Sequence, residues 1–517
     1  MGRSLRRLLI LVGLAAGLFA GIQSPTYAGP IDGPDCIFFP WVPNGVEIED
    51  ADTNAVAGPF HGALTIQNLE NTNVSVFLMP WDHCDTANPG NYYQMQIAPN
   101  AAISFGISGT GLIPEGTGGG IAVVGRLTED IQHPARIAGM QRQASPTPLS
   151  SSQFSISTHE TISGYTALTH IGVDGQVHLP IAQTNSNWNT IIRATNFDRE
   201  NNANIHIMLY EAGGGGTLGP FFHLTGPGQT ATFDLRDLGV PAGWVGSATV
   251  TGGLPIGAVA ERIKVETDML LINTSRSAGQ FAEKTYAALI FRDWHHWNTG
   301  ISIANPTGFP NNITIDFFDI DGNKVYDEDI TIPANGMDFV YLPAGDGSPF
   351  IGSAIIEGDQ WFHGAVDEVK YFGTDGDTGH AMSYTMDYRY VTEGYGLALP
   401  LAWNPSPSAP KIGETTGIQV FNPSSESADV RVVFRHAQDG ALALPAPIEF
   451  TLAPLQSQTV YALDIEGLPT NFRGTAIIIN VESGQIGASG IVAISNPVNY
   501  EVQHDGSSTF NLTYFYP

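Results

Sequence analysis

Apolar and polar residues alternate with a period of two around four recurring asparagines. These are Asn68, Asn196, Asn305 and Asn422. Apolar residues stand four and two positions before each asparagine, as at Ile301 and Ile303. A second alternating run follows a short polar break, as at Ile313, Ile315 and Phe317. Alternation of this kind predicts strands with one buried face, so each asparagine marks a predicted pair of strands.

The segments that follow the asparagines also repeat. A proline stands about 30 residues after each one, at Pro99, Pro227, Pro333 and Pro454. A glycine-led apolar run begins about 50 residues after each one, at Gly119, Gly246, Gly352 and Gly474. The spacing of roughly 110 residues is too long for a solenoid repeat and matches the size of a domain. The sequence therefore predicts four tandem repeats.

Short strands with frequent turn signals, and almost no helical periodicity, favour an all-β fold. About seven strands per repeat predict four tandem immunoglobulin-like β-sandwich domains after a cleaved signal peptide. The predicted domains are residues 29–163, 164–284, 285–393 and 394–517.

The first 28 residues have the order typical of a secretory signal peptide. Arg3, Arg6 and Arg7 precede an apolar run over residues 8–20, and small residues end at Ala28. The run is too short to favour a membrane span, and no span is predicted in the mature chain. We expect an extracellular or cell-surface protein, with the periplasm as the alternative compartment.

The charge balance limits the classes of partner. Lys and Arg number 21 against 50 Asp and Glu, a formal net charge of −29. Such a surface repels phosphate backbones and anionic lipids, which argues against nucleic acid and membrane surfaces as partners.

The two cysteines of the chain, Cys36 and Cys84, lie in the first repeat. In an oxidising compartment such a pair predicts a disulfide, worth about 3 to 4 kcal/mol by the chain-entropy relation. The neighbouring His83 and Asp85 suggest a metal site as an alternative, but they supply too few ligands for a closed one.

The third repeat contains a segment that resembles the start of a calcium loop. Asp319, Asp321 and Asn323 supply oxygen ligands at alternate positions. The twelfth position of such a loop is Ile330, where a Glu is required. The Asp321-Gly322 pair is also a strong hairpin-turn signal, so calcium and a plain turn both remain open. No other cofactor is predicted.

Three tryptophans of the same repeat are candidates for ligand binding. Trp294 and Trp297 flank two histidines in a predicted loop, and Trp361 lies in the glycine-led strand. Exposed aromatic rings suit sugar stacking or contacts between domains. Two histidines cannot complete a metal site alone, so a metal is the less favoured interpretation here.

The sequence resembles one loosely defined group of proteins. The strand over residues 297–305, the strand that begins at Gly352 and the proline between them are similar to repeat domains of secreted bacterial surface proteins. The first and fourth repeats depart from this pattern, because Phe60-His61-Gly62-Ala63 and Thr415-Thr416-Gly417 stand in the region of the tryptophan. The resemblance implies a fold and a location, and it implies no activity.

No catalytic motif appears. A Gly-x-Ser-x-Gly elbow and a His-Glu-x-x-His helix are both absent from the sequence. The acids of the third repeat, Asp327, Glu328, Asp329, Asp367 and Glu368, cannot be placed in one pocket from sequence. We therefore predict a structural or adhesive surface protein without catalytic activity. The alternative is a carbohydrate-binding protein that uses exposed aromatic loops, and a secreted hydrolase is less favoured.

The predicted partners are other cell-surface proteins, glycans or further copies of this chain. Self-association is suggested by the last strand, whose apolar residues alternate at Phe510, Leu512, Tyr514 and Tyr516. Such a strand can complete its own repeat or add to the edge of another molecule.

Overall fold

The all-β prediction is confirmed. The computed structural model describes residues 35–49, 56–80, 92–145, 161–172, 174–264, 269–342, 348–370, 379–404, 414–481, 489–499 and 506–516. Within these ranges every regular element is a β-strand, apart from short 3-10 turns. No helix in the described part of the chain is long and apolar enough to cross a membrane.

The first repeat contains nine strands. They are β1 (Cys36–Glu49), β2 (Val56–Asn68), β3 (Val74–Met79), β4 (Tyr93–Ile97), β5 (Ala102–Gly106), β6 (Thr117–Leu127), β7 (Asp130–Pro134), β8 (Ile137–Ser145) and β9 (Thr161–Thr166). One half of the sheet has the order β4-β3-β6-β1, and the other half joins β5, β2, β8 and β9. Strand β1 connects the halves, because its first part pairs with β6 and its end pairs with β2.

The second repeat separates the same plan into two four-stranded sheets. Its strands are β10 (Gln176–Gln183), β11 (Asn189–Asn196), β12 (Ala203–Glu211), β13 (Thr217–Thr225), β14 (Thr230–Asp234), β15 (Val245–Thr251), β16 (Ile256–Lys264) and β17 (Met269–Thr274). The sheet orders are β10-β15-β12-β13 and β14-β11-β16-β17.

The third repeat joins its two sheets through one long strand. Its strands are β18 (Ala282–Arg292), β19 (Asn298–Ala304), β20 (Asn311–Asp319), β21 (Lys324–Ile332), β22 (Met337–Tyr341), β23 (Phe350–Lys370) and β24 (His380–Thr385). The first half of β23 pairs with β18 and β20, and its second half pairs with β19 and β24.

The fourth repeat returns to two separate sheets. Its strands are β25 (Val391–Thr392), β26 (Gly396–Asn404), β27 (Glu414–Phe421), β28 (Ala428–His436), β29 (Ile448–Leu452), β30 (Ser457–Tyr461), β31 (Phe472–Asn480), β32 (Gly490–Asn499), β33 (Phe510–Asn511) and β34 (Thr513–Phe515). The sheet orders are β25-β32-β27-β30, with β33 beside β32, and β29-β28-β31-β26-β34.

Each repeat thus packs two sheets around its own apolar core. We name the seven shared strands A to G, with A, F, C and D in the front sheet and E, B and G in the back sheet. In the second repeat they are β10 to β16, and in the fourth they are β26 to β32. In the first repeat A to F are β1 to β6 and G is β8, and in the third A to E are β18 to β22 while β23 supplies both F and G. The alternation read from the sequence points inward as predicted, because Ile301, Ile303, Ile313, Ile315 and Phe317 are each no more than 1% exposed. These side chains belong to one buried cluster of the third repeat.

The repeats do not stand in an open row. Strand A of each repeat packs on strands B and G of the next: β1 on β11 and β16, β10 on β19 and β23, β18 on β27 and β32. The fourth repeat closes on the first, because β26 packs on β2 and β8. Residues Asp32–Pro517 accordingly form one compact unit. We refer to this closed arrangement as the ring.

The last back-sheet strands of the four repeats, β9, β17, β24 and β33, meet at the ring centre in cyclic order. Side-chain hydrogen bonds connect them in turn. The donors and acceptors are Ser163 Oγ to the Leu270 carbonyl (3.0 Å), Asn273 Nδ2 to Ser383 Oγ (2.5 Å), Asn511 Nδ2 to the Thr385 carbonyl (2.8 Å) and Thr166 Oγ1 to the Asn511 carbonyl (2.5 Å). The ring centre is therefore packed with polar side chains.

Two of the three predicted boundaries between repeats fall inside strands. The boundary at 163/164 divides β9, which pairs with β8 over its whole length, and the boundary at 284/285 divides β18. Strand β9 is a back-sheet strand added after strand G, which the sequence pattern did not reveal, and β18 is strand A of the third repeat, which begins at Ala282, before the predicted start. The boundary at 393/394 falls between β25 and β26.

The last strands are paired within the chain. Strand β33 pairs with β32, and β34 pairs with β26. Phe510 and Leu512 are buried, and the Tyr514 hydroxyl donates to the Arg389 carbonyl. The terminal segment therefore completes the fourth repeat, which was one of the two alternatives predicted.

Candidate functional site

The four recurring asparagines make the same hydrogen bonds in every repeat. The Nδ2 of Asn305 donates to the carbonyls of Phe309 (2.7 Å), Ile332 (3.3 Å) and Pro333 (3.0 Å). Its Oδ1 accepts from the Thr307 N–H at 3.0 Å. Asn68, Asn196 and Asn422 make the corresponding bonds. Each asparagine therefore ties its B–C turn to its D–E turn, which is a structural role.

The turns between strands C and D form part of the ring interface. The Gly213 N–H donates to the Met337 carbonyl at 3.0 Å, and the Ser457 N–H donates to the Ile320 carbonyl at 3.1 Å. The Ala102 N–H donates to the Ala437 carbonyl at 2.9 Å. In each case a C–D turn meets the start of strand E in the next repeat. These turns therefore hold neighbouring repeats together.

The calcium candidates lie in one of these turns. The Asp319 carboxylate accepts from the N–H groups of Asp321 (3.0 Å) and Asn323 (2.9 Å), and Asn323 Nδ2 donates to it at 3.1 Å. These bonds are typical of a hairpin turn, with Gly322 at a φ of 85°. The structure thus displays the turn geometry, and calcium binding remains a prediction.

The predicted disulfide is only half within the described part of the chain. Cys36 begins β1 and is 8% exposed, and Cys84 lies outside the described residues. The disulfide stays a prediction. The metal alternative beside Cys84 also lies outside them. Among the residues that are described, no three His, Cys, Asp or Glu side chains form a group that could hold a metal ion.

The three candidate tryptophans are not brought together. Trp297 is 6% exposed in the core of the third repeat, where its ring stacks on His380. Trp294 and Trp361 are exposed, at 38% and 40%. Strand β18 pairs with β23 along its length. Trp294 lies just after the end of this pairing at Arg292, and Trp361 lies next to its other end at Phe362. The exposed rings therefore lie at opposite ends of the repeat.

The acidic residues of the third repeat also separate. Asp327, Glu328 and Asp329 lie on the edge strand β21 of the front sheet. Asp367 and Glu368 lie in the second half of β23, in the back sheet, and are 8% and 0% exposed. The two groups do not share a cleft.

Asp367 and Glu368 belong instead to a buried polar network between the second and third repeats. The Arg262 guanidinium donates to both carboxylate oxygens of Asp367, and the distance from Nη1 to Oδ2 is 2.6 Å. Thr299 Oγ1 donates to Glu368 at 2.7 Å. Burial nevertheless raises the pKa of Glu368 well above its usual value, because the Thr299 bond offsets little of the desolvation.

Similar pairs connect the first repeat to the second and to the fourth. Gln143 Nε2 donates to Glu261 of the second repeat at 2.9 Å. Arg142 lies 2.8 Å from Glu414 of the fourth repeat, with both side chains almost fully buried. Burial raises the pKa of Glu414 to about 7, although Arg142 opposes the shift. Both interfaces therefore contain polar partners from different repeats within their apolar contacts.

Two neighbouring histidines, one half-buried and one buried, distinguish the interface between the second and third repeats. The ring centroids of His178, in strand A, and His363, in β23, lie 5.9 Å apart. Burial lowers the pKa of His178 to about 4, with Asp174 opposing, and it lowers that of His363 well below its usual value. Sequence reasoning did not single out these residues. Their position in strand A and β23 could be recognised only once the repeats were known to pack on each other.

The fold and these contacts define an all-β protein whose sheets pack on one another in one compact unit. No protein-family model matches the chain, and a search of curated proteins finds no match. The crystal structure of Thermotoga maritima 1070 is 16% identical and has a TM-score of 0.19, with coverage of 24% of this chain and 95% of that one.

Two further solved structures show similarity. The major pilin from Streptococcus pyogenes is 9% identical over 57% of this chain and 97% of its own, with a TM-score of 0.13. A tetra-tandem repeat in the extending region of a large adhesion protein is 11% identical over 86% of this chain and 92% of its own, with a TM-score of 0.11. These TM-scores are too low to transfer a function.

Proposed function

We propose that this chain is an exported structural or adhesive protein of the cell surface, with no catalytic activity. In this proposal, the signal peptide directs export and four immunoglobulin-like β-sandwich repeats form the mature protein. The observation that carries the proposal is the cyclic repetition of one interface, strand A on strands B and G of the next repeat. A unit of this kind holds loops at fixed positions around a rigid body.

The distribution of charged groups supports the same proposal. The buried acids Asp367, Glu368 and Glu414 pair with partners inside the ring and do not line an open cleft. General acid and base catalysis needs groups within reach of a substrate. The repeats also keep their cores and asparagine networks while their surfaces differ, which suits a scaffold.

Exposed Trp294 and Trp361 support carbohydrate binding as the second candidate. A glycan array with the mature protein distinguishes the two. If the structural proposal is correct, neither Trp294→Ala nor Trp361→Ala should abolish the binding of any glycan on the array. Phe309→Ala is the matched control, because Phe309 is an aromatic residue of the same repeat that is even more exposed, at 63%. A glycan lost with either tryptophan and retained with the control would favour the second candidate.

Export and surface exposure are tested with the full-length chain in a bacterial host that has a Sec pathway. We expect a mature N-terminus at Gly29 and degradation by protease added to intact cells. Retention of residues 1–28 with protection from protease would contradict the proposal. Turnover of a glycoside, ester or peptide substrate by the purified mature protein would contradict the absence of catalysis.

A further inference from the structure

The fourth repeat carries an open groove between the edges of its two sheets. The groove has a volume of about 460 Å³ and lies between the segment 444–448 and strand β30. This volume falls within the range of about 300 to 1,000 Å³ that is typical of ligand sites. The groove belongs to a single repeat and lies apart from the ring centre.

The groove arises from a short strand D. Strand β29 has 5 residues, as does β4 of the first repeat, whereas the corresponding strands β13 and β21 have 9 each. In place of a longer strand, the segment 444–448 forms one wall of the groove, and it includes Pro445 and Pro447. Proline has no backbone N–H, so this wall cannot pair fully with a neighbouring strand.

The opposite wall is the edge of a sheet. Strand β30 pairs with β27 on one side and stands last in the order of its sheet. An edge strand presents N–H and C=O groups that can pair with another extended segment. The chain already uses the start of this edge in that way, because the Ser457 N–H donates to the Ile320 carbonyl at 3.1 Å. Residues 458–461 continue the edge into the groove.

The chemistry of the lining indicates the charge of an occupant. Asp464 and Glu466 lie at the groove, and its lining contains no Lys, Arg or His. Ala446, Ile448 and Tyr461 supply apolar surface that is at least partly exposed. An extended segment with alternating side chains can place apolar residues on this surface and a basic residue beside the two carboxylates.

We propose that this groove binds an extended peptide segment that carries Lys or Arg, by strand addition to β30. Backbone pairing along the edge gives affinity in this mode of recognition, and the lining gives selectivity for side chains. The inference deepens the proposed adhesive function by naming the chemistry of its partner. The formal net charge of −29 attracts a basic segment over a longer range.

The test uses the mature protein and a library of immobilised decapeptides. The peptides alternate Val, Ile, Thr or Tyr with Lys in one half of the library and with Glu in the other. Binding is compared between the unaltered protein, the groove variant Asp464→Lys/Glu466→Lys and the control variant Glu200→Lys/Asp237→Lys. The control makes the same change in charge on the exposed surface of the second repeat. A third variant, Ala446→Trp, fills the groove without a change in charge.

We expect the Lys peptides to be enriched at least tenfold over the Glu peptides. The enrichment should be lost in the groove variant and in Ala446→Trp, and retained in the control variant. Absence of enriched Lys peptides, or equal loss in the control variant, would overturn the proposal. Enriched peptides that bind Ala446→Trp as tightly as the unaltered protein would also overturn it. Glycan binding and surface exposure are measured in separate experiments. The proposed function can therefore fail while peptide binding at the groove is confirmed, and peptide binding can fail while the proposed function is confirmed.

Discussion

Arg142 and Glu414 are 272 residues apart in the chain and form a bidentate ion pair that joins the first repeat to the fourth. The Nη1 of Arg142 donates to the Oε2 of Glu414 at 2.9 Å, and the Nη2 of Arg142 lies 2.8 Å from the Oε1 of Glu414. The guanidinium also lies 4.7 Å from the ring centroid of Trp403, in strand A of the fourth repeat. The pair therefore lies where the ring closes.

Removal of one partner should destabilise the protein strongly. Arg142→Met leaves Glu414 buried without its cation, and the loss of a single partner from a buried pair costs about 3 to 5 kcal/mol. We expect a decrease of that size in the free energy of unfolding, measured by urea denaturation. The matched control is Arg431→Met, because Arg431 pairs with Glu449 at 2.8 Å on the surface. An exposed pair contributes about 1 kcal/mol or less, so equal losses would contradict the buried closure.

The asparagine network gives a second prediction. Asn305→Ala removes the donor to three carbonyls and the acceptor of the Thr307 N–H, and buried groups left without partners cost about 1 to 3 kcal/mol each. We expect a loss of at least about 2 kcal/mol in thermal or urea unfolding. Asn312→Ala removes two exposed bonds, one to Asp359 and one from Thr331, and should change stability by less than about 0.5 kcal/mol.

The dependence of stability on pH should include a measurable contribution from Asp387. Burial raises the pKa of Asp387 to about 7, although Arg276, Arg389 and a bond from Asn511 oppose the shift. A folded-state pKa above the unfolded value means that the contribution is complete below a pH of about 4 and is lost as pH rises through 7. We expect a loss on the order of 3 kcal/mol over that interval.

The measurement is the difference in unfolding free energy between the unaltered protein and Asp387→Asn, determined from pH 4 to pH 8. Subtraction isolates this carboxyl from His178, whose lowered pKa acts in the opposite direction, since its contribution is lost as pH falls through 6.5 toward 4. A difference that does not change with pH would show that Asp387 is ionised at an ordinary pKa.

The turn at Asp319 gives a prediction about calcium. Its carboxylate already accepts three hydrogen bonds within the turn, so addition of 5 mM calcium chloride should leave the melting temperature unchanged. A ligand that binds only the folded state must raise stability. A calcium-dependent rise that disappears in Asp319→Ala would identify a calcium site here, whereas a rise that persists in the variant would locate the ion elsewhere.

Local pattern was sufficient to predict much of each repeat. Alternation at Ile301 and Ile303 correctly predicts which side chains face the core, because strand geometry places successive side chains on opposite faces. The recurrence of Asn305 and its counterparts marks the turns correctly. The reason for this recurrence is a side chain that bonds to one carbonyl of its own turn and to two of a distant turn, and it requires three-dimensional structure.

Contacts between repeats could not be predicted in the same way. Arg142 and Glu414 are separated by 272 residues, and nothing local marks them as partners. Trp297 is aromatic, as many ligand-binding residues are, but it is buried in the core, where its ring stacks on His380. Burial and partner choice depend on how strand A of one repeat meets the next, and that relationship has no periodic signal in the sequence.

Closure of the four repeats into a ring is the central claim, and small-angle X-ray scattering of the mature protein tests it most directly. A compact unit of this length should have a radius of gyration of about 23 to 26 Å. Its distance distribution should have a single maximum. An open row of four domains would give a radius roughly twice as large, with a long tail in the distribution. A radius above about 40 Å would contradict the ring.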